Sequence, residues 1–90
     1  MEALEQPGGM MRAGIPPFRL PREVLDEEIE AVRAAGVRIL TGRPVESAQA
    51  LLRDGFDAVV VATGAQAASP LGVPGEDLPG VLEGVSFLRS

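Results

Sequence analysis

Between Glu2 and Leu20, three prolines (Pro7, Pro16, Pro17) and three glycines (Gly8, Gly9, Gly14) interrupt every hydrophobic period. Proline fixes φ and removes a donor, while glycine reaches backbone angles closed to other residues. The stretch therefore predicts a loop with strongly specified backbone angles. Nineteen residues is long for such a loop in a small domain, which points to function or disorder. The apolar Met10, Met11, Ile15 and Phe18 favour a packed loop.

Regular elements are expected after it. Pro21 to Ala35 reads as a helix: Leu25, Ile29 and Val32 recur on one face, Glu23, Asp26 and Glu27 lie early, Arg33 lies late, and Gly36 is placed to end it. Val37 to Leu40 reads as a short strand, and Ser47 to Asp54 as a short helix with Ser47 as its cap and Gly55 as its stop. The run Ala58-Val59-Val60-Val61-Ala62 predicts a parallel strand covered on both faces, the most buried of the chain. Pro70, Gly72, Pro74, Gly75, Pro79 and Gly80 mark a connector rich in turns, in which Glu76 and Asp77 read as solvated acids. Leu82 to Arg89 begins another helix. The fold class expected is α/β, a small parallel sheet with helices.

Composition narrows the chemistry. With no Cys and no His, the chain offers no disulfide, no thiolate metal or iron–sulfur ligand, and no imidazole base. The acids of residues 23–30 read as the polar face of a helix, so no metal site is expected. Thirteen acids against eight bases, with a net charge of −5 and no basic run, disfavour nucleic acid and anionic membranes as partners. No apolar run approaches the ~20 residues of a membrane span. The start lacks the pattern of a signal peptide, and a cytoplasmic location is the default expectation.

Three constellations bear on binding. Adjacent glycines at Gly8 and Gly9 let backbone N–H groups approach an anionic group such as a diphosphate, although a plain turn is the commoner use of such a pair. Arg12 and Arg19 are the bases of the loop, suited to anionic groups or to solvent. Ala62-Thr63-Gly64, at the end of the apolar run, places small residues where open α/β sheets hold their ligands, although tight packing explains them equally.

The string Pro7-Gly8-Gly9-Met10-Met11-Arg12-Ala13-Gly14-Ile15-Pro16-Pro17-Phe18-Arg19-Leu20-Pro21, with Ala62-Thr63-Gly64 behind its apolar run, resembles the flavin-binding half of the glutamate synthase small (β) subunit family. Dihydropyrimidine dehydrogenase and the flavin subunits of some hydrogenases and formate dehydrogenases are relatives. Ala13 departs from the family, which often has Tyr there. The resemblance implies a partial two-dinucleotide-binding-domain, Rossmann-like flavoprotein fold. Residues 1–80 would be part of an FAD-binding domain lacking its N-terminal GxGxxG unit, and residues 81–90 the start of the connection to an NAD(P)H-binding domain.

The same resemblance assigns residues to the cofactor. Glu2 would hold the adenosine ribose of FAD, and a backbone group at Val45 would face adenine. Gly8, Gly9, Met10, Arg12, Ile15, Pro16 and Arg19 would lie along the cofactor, Arg19 nearest the flavin, and Ala62, Thr63 and Gly64 would form the second FAD fingerprint. In the parent enzymes hydride passes from NAD(P)H to FAD, and electrons leave through iron–sulfur clusters to a large catalytic or iron–sulfur partner subunit. No catalytic acid, base or nucleophile is expected here, and the 90-residue chain by itself is expected to be inactive. The alternative is a small α/β interaction module, or a truncated reading frame, that has lost the cofactor; Met1 directly before Glu2 is compatible with a late start.

Overall fold

The computed structural model describes residues 1–89, which contain four helices and, among those residues, no strand. Helix α1 spans Gly9–Ala13, α2 Arg22–Ala34, α3 Ala48–Arg53 and α4 Gly84–Arg89. α1 is the hub: both α2 and α4 pack on it.

α2 follows its sequence. Pro21 is extended and caps the helix, so the first helical residue is Arg22. Leu25 and Ile29 turn inward: Leu25 is 4% exposed and is the one buried hydrophobic residue among those described, Ile29 is half-buried, and Val32 remains exposed. Gly36, at φ 96°, closes the helix in the region that favours glycine, with its N–H on the Arg33 carbonyl. In α3 the Ser47 hydroxyl accepts the Ala50 N–H and so caps the helix as its sequence predicts.

α1 lies inside the stretch expected to be loop. Met10, Met11, Arg12 and Ala13 are good helix formers bracketed by glycines. Gly8, at φ 125°, turns the chain into the helix, and the Gly14 N–H closes it on the Met10 carbonyl at 2.8 Å. The Pro16 carbonyl then accepts from Arg19 and Leu20, adding one further turn before α2.

The expected α/β, Rossmann-like sheet is not present among the described residues. A β-strand is held by the ladder bonds of a neighbour, and among the described residues no backbone hydrogen bond from another segment reaches Ala58–Ala62. Val60 is 88% exposed and Val61 71%, which reverses the expectation that this is the most buried segment. A β-branched run reports a side-chain preference for two covered faces; it does not supply the partners. Val37 to Leu40 is likewise no strand. Its end is tied instead by irregular bonds: Glu2 N–H to the Leu40 carbonyl, Gly42 N–H to Leu4 and Arg43 N–H to Glu2.

The connector is ordered by its acids. One Glu76 carboxylate oxygen accepts the N–H groups of both Leu71 and Gly72 at 2.9 Å, so Glu76 closes a turn and is not simply solvated. Glu83 accepts the N–H groups of Val85 and Ser86 at 2.7 Å, capping α4. Among the described residues no helix is long and apolar enough to cross a membrane.

Candidate functional site

The residues singled out by sequence fall into three patches. The first is built on α1. Gly8 and Gly9 both have positive φ, 125° and 52°. A Cβ on Gly8 would stand 3.0 Å from Leu25 Cδ2 and 3.2 Å from Arg12 Cβ, whereas one on Gly9 would meet nothing within 4 Å. The inner glycine is thus packed against α2, and the outer one leaves open backbone that an incoming group can approach. Met10 follows in α1, with Ile15 and Pro16 in the turn beyond it.

Arg12 and Arg19 differ sharply in surroundings. The Arg12 Nε donates to the Pro7 carbonyl at 2.7 Å, and its Nη2 pairs with Asp26 of α2. Its side chain is only 16% exposed. Arg19 is exposed one turn beyond Pro16. Two grooves flank this patch. One, about 320 Å³, runs from Gln6 and Pro7 past Arg12 and Asp26 to Ile29 and Thr41. The other, about 200 Å³, lies between the Ile15–Pro17 turn and Phe87 and Leu88 of α4.

The second patch joins Glu2 to the segment before Val45. Glu2 is half-buried and bonded through its backbone to Leu40 and Arg43, which brings it beside the chain two residues ahead of Val45. One oxygen of its carboxylate accepts the Leu4 N–H at 2.9 Å. A carboxylate has about four lone-pair sites, so capacity remains for hydroxyl donors. Val45 itself is exposed.

Ala62, Thr63 and Gly64 form the third patch. All three are exposed and, contrary to expectation, end no strand. Gly64 turns the chain at φ 69°. The Gln66 side chain donates to the Thr63 carbonyl at 3.0 Å and accepts from Arg89 of α4. Since α4 packs on α1, Gln66 ties the third patch back towards the first.

Sequence reasoning passed over Asp26, Gln66 and Glu83, the partners that fix these patches. Asp26 reads as one acid among many on α2, and nothing in a separation of 14 residues announces its pairing with Arg12.

Three curated relatives are similar to this chain along nearly its whole length. The NADP(+)-dependent formate dehydrogenase subunit beta of Moorella thermoacetica is 48% identical over 98% of the chain. The NADPH-Fe(3+) oxidoreductase subunit beta of Geobacter sulfurreducens is 41% identical over 91% of it. The glutamate synthase [NADPH] small chain of Mycobacterium tuberculosis is 39% identical over 90% of it. The chain spans 13% of the length of each of the first two and 17% of the third. No family model matches the chain. No solved structure matches it.

Proposed function

The chain belongs to the oxidoreductase family of the glutamate synthase small chain, and from that premise we propose that it is part of the FAD-holding portion of an NADPH-dependent oxidoreductase. The observation that carries this reading is likeness across nearly the full chain to three oxidoreductase subunits whose names state NADP(+) or NADPH. Residues 1–80 contribute to the FAD-binding domain, and residues 81–90 lead towards an NADPH-binding domain. Hydride acceptance and stepwise electron release are the chemistry a flavin supplies when bound. Iron–sulfur clusters or a partner subunit would be the acceptors of those electrons. With no Cys in this chain, other residues hold any such cluster.

The residues present fit the group. Open backbone at Gly9 suits the close approach of a diphosphate. Glu2 has acceptor capacity for ribose hydroxyls and stands beside the segment that leads to Val45, the proposed adenine contact. Arg12 is committed to Asp26 and Pro7, so Arg19 is the exposed base of the loop and the one free to approach the flavin. Met10 lies in α1 and Ile15 and Pro16 in the turn that follows it, and Ala62, Thr63 and Gly64 supply exposed backbone and small side chains.

The test is FAD content and affinity of Glu2→Ala, Arg19→Ala and Glu28→Ala in the full-length protein that carries this segment. Loss of ribose bonds, or of one charge-assisted donor, is expected to weaken FAD by about 1–3 kcal/mol, roughly tenfold to a hundredfold. Glu28, exposed on α2, is expected to change it by less than about 0.5 kcal/mol. Full-length protein without bound FAD and without NADPH oxidation overturns the reading. Equal losses in all three variants, or none, overturn the assignment of residues.

A further inference from the structure

Arg12 is held as a strut. Its Nε is bonded to the Pro7 carbonyl at 2.7 Å, directly ahead of the Gly8–Gly9 turn, and its Nη2 is paired with Asp26 on the 13-residue helix α2. Leu25, the neighbour of Asp26 in sequence, presses on the same turn: it and Arg12 occupy the space a Gly8 side chain would need. The turn is thereby fixed from two sides, by apolar contact with Leu25 and by the guanidinium bridge. A further link, from Arg22 Nη1 to the Met11 carbonyl at 3.1 Å, joins α2 to α1 itself and leaves the Pro7 carbonyl to Arg12.

We infer that Arg12 is a positioning residue, setting the Gly8–Gly9 backbone for the cofactor through Pro7 and Asp26 and making no charge contact with the cofactor itself. This rests on the proposed FAD reading for its purpose, while the strut is independent of it. Three consequences follow from the geometry. Asp26 is as important to the turn as Arg12, although it lies on another helix. A lysine at position 12 retains the charge but cannot reproduce a planar fork that serves a carbonyl and a carboxylate together. The two residues act as one unit, so their removals do not add.

The experiment uses the full-length protein and five variants: Arg12→Ala, Arg12→Lys, Asp26→Asn, the double variant Arg12→Ala/Asp26→Asn, and Glu28→Ala as control. Two quantities are read: the FAD dissociation constant, and amide hydrogen exchange at residues 8–11 and along α2 without FAD. Arg12→Ala, Arg12→Lys and Asp26→Asn are each expected to weaken FAD roughly three- to tenfold, the range that one charge-assisted bond and a half-exposed pair support. The double variant should be no worse than Arg12→Ala. Exchange should quicken at residues 8–11 and not through α2, which separates positioning from general loss of stability. If Arg12→Lys keeps the affinity and Asp26→Asn leaves it unchanged or tightens it, Arg12 contacts the cofactor directly and the inference fails. Unchanged exchange at residues 8–11 in all Arg12 and Asp26 variants also overturns it. Wild-type protein that binds no FAD overturns the functional reading alone, since the exchange measurement still decides the strut.

Discussion

Gly8 and Gly9 stand side by side with positive φ, yet a methyl group added to each meets different surroundings. At Gly8 it would meet Leu25 and Arg12 within 3.0–3.3 Å; at Gly9 it would meet nothing within 4 Å. Both substitutions carry backbone strain of about 1–2 kcal/mol. Only Gly8→Ala adds overpacking, about 1–3 kcal/mol more. Gly8→Ala is therefore expected to lower stability clearly more than Gly9→Ala, while Gly9→Ala should be the one that disturbs an incoming ligand out of proportion to its effect on stability. Urea midpoints and FAD affinity of the two variants check this, and equal midpoints contradict it. The sequence marks both glycines as special and does not say which is packed, because the difference is made by Leu25, seventeen positions later. Arg12 carries the same lesson. It reads as a loop base open to an anion, and its actual partner lies on another helix.

At the scale of elements, what can be read locally is what is found. α2 and α3 carry their apolar spacing, and the glycines that follow them, in the local sequence, α3 also its Ser47 cap, and both form within one residue of the expected bounds. The six residues of α4 likewise follow a local signal, the Glu83 carboxylate ahead of them. α1 escapes because Pro7, Gly8 and Gly9 read as loop, while the four helix formers up to Ala13 are too few to show a period. The expected strands fail for the opposite reason: a strand is a property of two segments, and the β-branched run at 58–62 names only one. Glu83 also makes α4 sensitive to pH. Hydrogen bonds from the Ser86 side chain, and from the Val85 and Ser86 N–H groups, hold its carboxyl below the ordinary glutamate range, with nearby Arg89 acting in the same direction. A carboxyl depressed on folding contributes stability that is present above its unfolded pKa and lost as pH falls through the folded value. Acidification should therefore fray α4 and loosen its seat on α1, and Glu83→Gln should remove most of that dependence. Amide exchange at Val85 and Ser86 as a function of pH is the measurement; the same profile in both proteins contradicts the cap.

The whole molecule is open for its size. Its radius of gyration is 16.7 Å, whereas a compact chain of this length has about 12 Å. Its accessible surface is 7436 Å², against about 5,000 Å² for a compact protein of the same mass. Folding this chain thus buries roughly 70% of the area a compact chain would bury, and the urea m-value, which scales with that area, should fall in proportion. A full-sized m-value for the 90-residue chain would contradict the open architecture. The same openness decides the outcome of Val60→Asp. From sequence, an unpaired charge in a two-sided strand costs several kcal/mol, on the order of the whole stability of a small domain. In the structure Val60 is 88% exposed and faces no neighbour it must desolvate against. An aspartate there keeps its water, so the chain is expected to lose less than about 0.5 kcal/mol. Leu25→Ala, by contrast, empties the one buried apolar site among the described residues and is expected to cost about 2–3 kcal/mol, because it leaves a cavity where α2 packs on the Gly8 turn ahead of α1. Denaturation of the two variants beside the parent chain orders these costs, and a Val60→Asp chain that unfolds while Leu25→Ala survives would reverse the assignment of the core.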